Sequence, residues 1–275
     1  IMPFLLISVS VFLITSEKNN KLWALFLFLI AGFLGIASLN LNIKEPLLPL
    51  LTGLFGASNL IISIGQKTKV PEQRIQPLKN IRLSKKSIQK ASIASIIAAP
   101  FTAFLPGLGA SQAALIGRYS LNIKDQREFL FLLGAINTIV MGLSFIALYS
   151  INRTRTGAAA AISQLISELT LTNLSTIILS ITISGFLSFI LTINLAKFAS
   201  KNIHKIEYSK LSKIILAILL IIVLIFSDQT FSGKLISLIV FITSTSLGIF
   251  TISKGIKRMH LMGCLLVPTI LFYLF

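Results

Sequence analysis

Acidic side chains are nearly absent from this sequence: eight Asp and Glu in 275 residues, beside two His, one Cys and one Trp. A lone cysteine, Cys264, excludes an intrachain disulfide framework and any Cys-rich metal centre. Neither His204 nor His260 has a second histidine or an acid at ligand spacing, so no metal site is expected. Charged residues make up 12% of the chain, about half the share of an average soluble protein. So few polar groups cannot cover a water-facing surface, which argues against a soluble enzyme, a disordered chain and a nucleic-acid partner. The sequence holds no P-loop, no Gly-x-Ser-x-Gly elbow and no His-Glu-x-x-His pair, so ATP-driven transport by this chain alone and common hydrolase chemistry are disfavoured. No cofactor is implied, and no arginine-rich voltage-sensing helix appears. No signal peptide is expected in the given sequence, because its start has neither a basic leading region nor a small-residue cleavage site.

Apolar residues are abundant: AVILMFWYC account for 55%, with 16 glycines in addition. They form runs at 2–15, 22–39, 46–64, 91–117, 129–151, 173–196, 211–227, 235–253 and 259–275. A bilayer core of about 30 Å takes about 20 apolar helical residues to cross. Several runs are apolar on every face, as helices surrounded by lipid or by one another are. Backbone groups in lipid must bond internally, and the runs do not alternate as barrel strands would. The fold expected is all-α, a polytopic transmembrane helical bundle with broken or re-entrant helices. It is a single integral membrane domain over 1–275 with about eight spans, multi-pass in the cell membrane. The chain begins at Ile1 and its first run is short for a span, so the expectation is an internal start with an N-terminal part missing.

The net charge of +17 comes from 25 Lys and Arg gathered between the apolar runs. Basic loops of this kind point to membrane orientation and a lipid-bilayer partner. The one extended polar stretch, 66–90, holds eight of them and one acid, and is expected to be a basic cytoplasmic loop. If 91–117 and the shorter stretch 157–172 both dip in and return, the inside loops hold 21 Lys and Arg and the outside loops 4. If only 91–117 crosses, the count is 13 against 12; if both cross, it is 20 against 5. The positive-inside rule rejects the mixed case and leaves the other two open. The shortness of 157–172 favours re-entry of both, from opposite faces.

Within the uncharged 91–117 run stands Phe104-Leu-Pro-Gly-Leu-Gly-Ala-Ser-Gln112. Pro106 blocks the helix and removes a donor, while Gly107 and Gly109 admit unusual backbone angles. One helix should end near Leu105 and another begin near Ala110 or Ser111. Such breaks survive in hydrocarbon only when buried in protein or lining a cavity, and in transporters they mark substrate or ion sites. The start of the second half-helix carries unpaired N–H groups and about half a positive charge. A carboxylate could bind there without a buried lysine, helped by Ser111 and Gln112. The plain alternative is a proline kink that only shapes packing.

Other candidates carry similar alternatives. Arg153 and Arg155 precede Thr156, a potential N-cap, and could clamp a carboxylate or bind lipid phosphate at the interface. Asn137 and Thr138 fall mid-span and could coordinate a coupling ion or bridge helices. Glu168, flanked by apolar residues, is the acidic candidate for proton coupling, unless it is interfacial. Glu45 and Asp228 read as loop residues, and Cys264 as a small core residue. The triplets at Asn152 and Asn173 match the glycosylation pattern, which is frequent by chance.

The Phe104–Gly117 run resembles the Pro-Gly-x-Gly segment of the large membrane subunit of tripartite tricarboxylate transporters, closest to the archaeal TctA-like branch. Pro49–Gly56, Leu133–Thr138, Arg153–Ala158 and His260–Pro268 agree with it. That family has two related halves, each with such a motif, and one clear copy stands here. The resemblance implies a secondary-transporter permease for small organic anions, carboxylates, working with a small membrane subunit and an extracytoplasmic binding protein. A non-transport membrane subunit or scaffold handling a lipid-linked or surface component is the alternative. An intramembrane enzyme is disfavoured, since no nucleophile–base pair is visible.

Overall fold

A computed structural model describes residues 2–17, 20–66, 83–105, 108–154, 156–166, 169–203 and 207–274. In chain order its helices are α1 (Met2–Thr15), α2 (Lys21–Leu39), α3 (Leu47–Gly65), α4 (Lys85–Phe104), α5 (Ala110–Ser120) and α6 (Gln126–Ile151). There follow α7 (Gly157–Leu165), α8 (Leu171–Asn202), α9 (Tyr208–Phe226), α10 (Phe231–Ser253) and α11 (Gly263–Leu274), the last entered through a 3₁₀ turn at Arg258–Met262. No strand occurs among the described residues. Of these helices, α2, α3, α6, α8, α9 and α10 are long and apolar enough to cross a membrane. The chain is an all-α, multi-pass membrane protein.

Local chemistry sets the helix ends. Ser84, Asp125, Thr156 and Thr230 cap α4, α6, α7 and α10, their side-chain oxygens accepting from Ser87, Arg127, Ala159 and Gly233 N–H; each such cap stabilises a helix by about 1 kcal/mol. Asn152, left-handed at φ 51°, ends α6, a conformation asparagine adopts more readily than most residues. Leu105 is extended (φ −91°, ψ 127°) and ends α4, because the residue before a proline is driven out of the helical region.

The chain divides into two compact units, 1–73 with 201–275, and 74–200. The first holds α1–α3 and α9–α11. There α2 and α11 cross so closely that a Cβ at Gly35 would collide with the Cys264 carbonyl oxygen, and one at Gly248 of α10 with the Leu54 carbonyl and Ser58 of α3. Small residues permit such crossings, and dispersion then holds the helices, since lipid offers them no hydrophobic gain on association. The middle of α3, Thr52–Ala57, widens to a π-helix. Beyond the spans, the Asp228 carboxylate accepts from the Lys44 amide (3.0 Å), the Thr230 amide (2.8 Å) and the Thr230 hydroxyl (2.8 Å). Those bonds, led by the Thr230 amide, pull its pKa down to about 2.

The second unit holds α4–α8. Its core is an alanine seam between α4 and α5, with Ala91, Ala94, Ala98, Ala99, Ala113 and Ala114 against Leu132 and Ile136 of α6. By contrast, no residue of α8's most apolar window is buried within the chain. A helix that is apolar all round yet uncovered by its own chain suits a lipid-facing position.

Candidate functional site

The 91–117 run is two helices, not one. After the break at Leu105, α5 starts from Gly109 (φ −94°, ψ 168°) and runs back along α4. A Cβ at Gly117 would stand 3.0 Å from the Ala94 oxygen, 3.2 Å from the Ala98 Cβ and 3.3 Å from Leu132 Cδ1. The Lys90 ammonium donates to the Asn122 carbonyl (3.0 Å), closing the open end. The pair is therefore an antiparallel hairpin with Leu105, Leu108 and Gly109 at its tip. Pro106 and Gly107, named from the sequence, lie outside the described residues.

The height of that tip follows from helix geometry. Gly117 meets Leu132 on α6, and seven residues of helix in either chain rise about 10 Å. Ala110 thus stands level with Ile139, halfway along the 26 residues of α6, and both join the same packed cluster. Leu105 and Leu108 at the tip are buried.

At the start of α5 the polar groups converge. Gln112, buried, turns its side-chain oxygen back to accept the Gly109 amide (3.1 Å) and the Ser111 hydroxyl (3.1 Å). The amides of Gln112 and Ala113 donate to the Gly109 carbonyl (3.1 and 3.2 Å). The Ala110 and Ser111 amides have no acceptor among the described residues, and they carry the positive end of the helix dipole. Thr102, one turn before the break, has its hydroxyl oxygen enclosed and without a hydrogen-bond partner among the described residues.

Gly109, Ser111 and Gln112 therefore come together. Asn137 and Thr138 reach the same height on α6, but both are exposed, and the Thr138 hydroxyl donates to Gly134 O (3.1 Å) within its own helix. Arg153 is elsewhere, exposed past the end of α6 and about 20 Å along the helix axis from Ile139. Arg155 and Glu168 lie outside the described residues, as do His204 and most of the 66–90 loop. Next to Arg153, Thr156 caps α7 and shares a hydrogen bond with Ser144 of α6 (3.0 Å). The nine-residue α7 then packs through Ala159 and Ile162 against Met141, Phe145 and Leu148, so it runs back beside α6 for about 13 Å. No group of three or more metal-ligating side chains occurs among the described residues.

Sequence reasoning missed one buried polar pair, in the other unit. Glu17, in the link after α1, is 3% exposed, and its carboxylate lies 3.2 Å from the imidazole of His260, which is 0% exposed. The two are 243 residues apart, so no local pattern joins them. The one available signal was a single acid at the edge of an apolar run.

With this geometry, comparison with known proteins becomes informative. A family model, the Tripartite tricarboxylate transporter TctA family, matches residues 1–263. An uncharacterized protein of Methanocaldococcus jannaschii is 28% identical over 274 residues, 99% of this chain. The chain spans 66% of the length of that relative. No solved structure matches the chain.

Proposed function

Since this chain belongs to the tripartite tricarboxylate transporter TctA family, we propose that it is permease material: it carries part of the path by which a small carboxylate crosses the membrane. The broken hairpin of α4 and α5, ending halfway up α6, is the observation that supports this most. A carboxylate at the start of α5 would accept from the Ala110 and Ser111 amides and from the Ser111 hydroxyl. Gly109, with no side chain, lets it approach the backbone. The Gln112 oxygen collects the Gly109 amide and the Ser111 hydroxyl; in this reading it stands in for a carboxylate oxygen and is displaced by one. The half-helix supplies the attraction without a buried cation, so the anion can leave as well as enter.

In this reading Pro106 and Gly107 belong to the substrate-binding stretch. Arg153 and Arg155 attract the anion at the outer mouth, and Asn137, Thr138 and Glu168 serve the coupling ion. A small membrane subunit and an extracytoplasmic binding protein complete the system, as the family's tripartite description suggests. In this reading α4–α5 enters from the cytoplasmic face and returns to it, and the 157–172 stretch does the same from the outer face.

The test is uptake of radiolabelled citrate and smaller carboxylates into proteoliposomes holding the full-length protein. Gly109→Leu with Ser111→Leu should cut the rate by about tenfold or more, the size of one lost charge-assisted hydrogen bond. Wild-type rates in that variant would remove the site.

A further inference from the structure

An ammonium and an imidazole share one buried carboxylate at the end of the first unit where α1 meets the turn before α11. Glu17 accepts from the His260 side, Nε2 to Oε2 at 3.2 Å, while the Lys257 ammonium approaches the same oxygen at 3.9 Å. Lys257 also donates to the Ser16 carbonyl (3.4 Å), so it straps the link after α1 to the turn after α10. Because a carboxylate can only accept, Nε2 carries the proton of a neutral imidazole. The other ring nitrogen, Nδ1, is enclosed and has no hydrogen-bond partner among the described residues. It is a bare lone pair in a buried site, on a ring whose other nitrogen, Nε2, meets the Glu17 carboxylate at 3.2 Å.

We propose that Glu17 and His260 form a proton-binding site, in which a proton taken from the cytoplasmic solution onto His260 Nδ1 displaces Lys257 from the shared carboxylate. The step is one proton bound and one positive charge gained; its release restores the neutral ring and the lysine strap. Transport and protonation would then be coupled through the joint between α1, α2 and the Arg258–Met262 turn. The proton site stands by itself, and only its coupling to flux rests on the transport reading above.

Among the described residues the neighbouring elements bring few other ionisable groups, and α11 adds only the buried Cys264 and, at its far end, Tyr273. Arg258 is committed to the Phe55 carbonyl (3.3 Å), and Lys254 lies over the rings of Trp23 (4.9 Å) and Phe250 (5.5 Å). Lys21 opens α2, and Lys18 lies outside the described residues. The described part of α1 carries no ionisable side chain, and α10 offers only Lys234, at its far end. Burial alone would raise the Glu17 carboxyl, but the hydrogen bond to His260 and the charge of Lys257 outweigh it and hold it below its ordinary value. Glu17 is therefore ionised and available as the partner at neutral pH.

The experiment is an NMR titration of histidine-labelled full-length protein carrying His204→Gln, which leaves His260 as the one imidazole of this chain. His260 is expected to titrate. Glu17→Gln should lower its midpoint by about one pH unit or more, and Lys257→Met should raise it, each being a removed charge within a few ångströms. Opposite shifts are the signature of an imidazole that takes its proton between these two charges. Lys257 is half-exposed, so its variant remains a test if Glu17→Gln does not fold. A midpoint indifferent to Lys257→Met, or an imidazole that stays neutral between about pH 4 and about pH 10, overturns the site. In proteoliposomes the pH profile of citrate uptake should move to lower pH in Glu17→Gln and to higher pH in Lys257→Met; a profile that stays put removes the coupling. A wild-type protein without carboxylate uptake would sink the transport reading, and the titration would still decide the proton site.

Discussion

At the scale of single residues, absence of a side chain matters as much as its presence. Gly35 has no room for a Cβ, because the Cys264 carbonyl occupies that space. Gly35→Leu is expected to force α2 and α11 apart and to destabilise the protein by about 2 kcal/mol, the usual cost of overpacking a tight contact. A lowered midpoint of thermal unfolding in detergent would show it, and an unchanged midpoint would mean that the crossing is not tight. Nothing in the local sequence distinguished Gly35 from the fifteen other glycines. Ser111 and Gln112 were legible, because they follow the Pro-Gly stretch at once. The Glu17–His260 pair was not, since each residue alone looks like an interfacial polar group and only their meeting gives them a role.

At the scale of elements, the break in the 91–117 run was written in Pro106, Gly107 and Gly109. Proline and glycine act on their own backbone and its nearest neighbours, so their effect survives any tertiary context. The direction of the chain after the break was not written there, since counting basic residues left re-entry and crossing equal. In the structure the contacts of Gly117 with Ala94 and Ala98, and the bond from Lys90 to Asn122, turn α5 back along α4. A hairpin that re-enters leaves both its ends on one side. In a Cys264→Ala background, Lys86→Cys and Ser120→Cys, both at exposed positions, are expected to react with an impermeant maleimide from the same, cytoplasmic face. Labelling of the two from opposite faces would make α4–α5 a crossing and deprive the site of its mid-membrane position.

For the whole molecule, charge asymmetry sets orientation. The lead of 21 basic residues over 4 leads us to expect Gly255, the left-handed glycine after α10 (φ 68°), inside and Gln229 outside. In a bacterial host, alkaline phosphatase fused after Gln229 should be active and fluorescent protein fused after Gly255 should be bright. The reverse pattern would invert the protein and place the Glu17–His260 pair on the outer side. Membrane residence, helicity and the broken run were determined by the sequence by itself, because each depends on composition or on residues adjacent in the chain; the orientation is an expectation of the same kind. Tertiary structure alone decided which way α5 returns, how high its tip stands on α6, which glycines let helices touch, and that Glu17 finds His260. Those outcomes depend on pairs up to 243 residues apart, whose meeting is fixed by packing and carries no local mark.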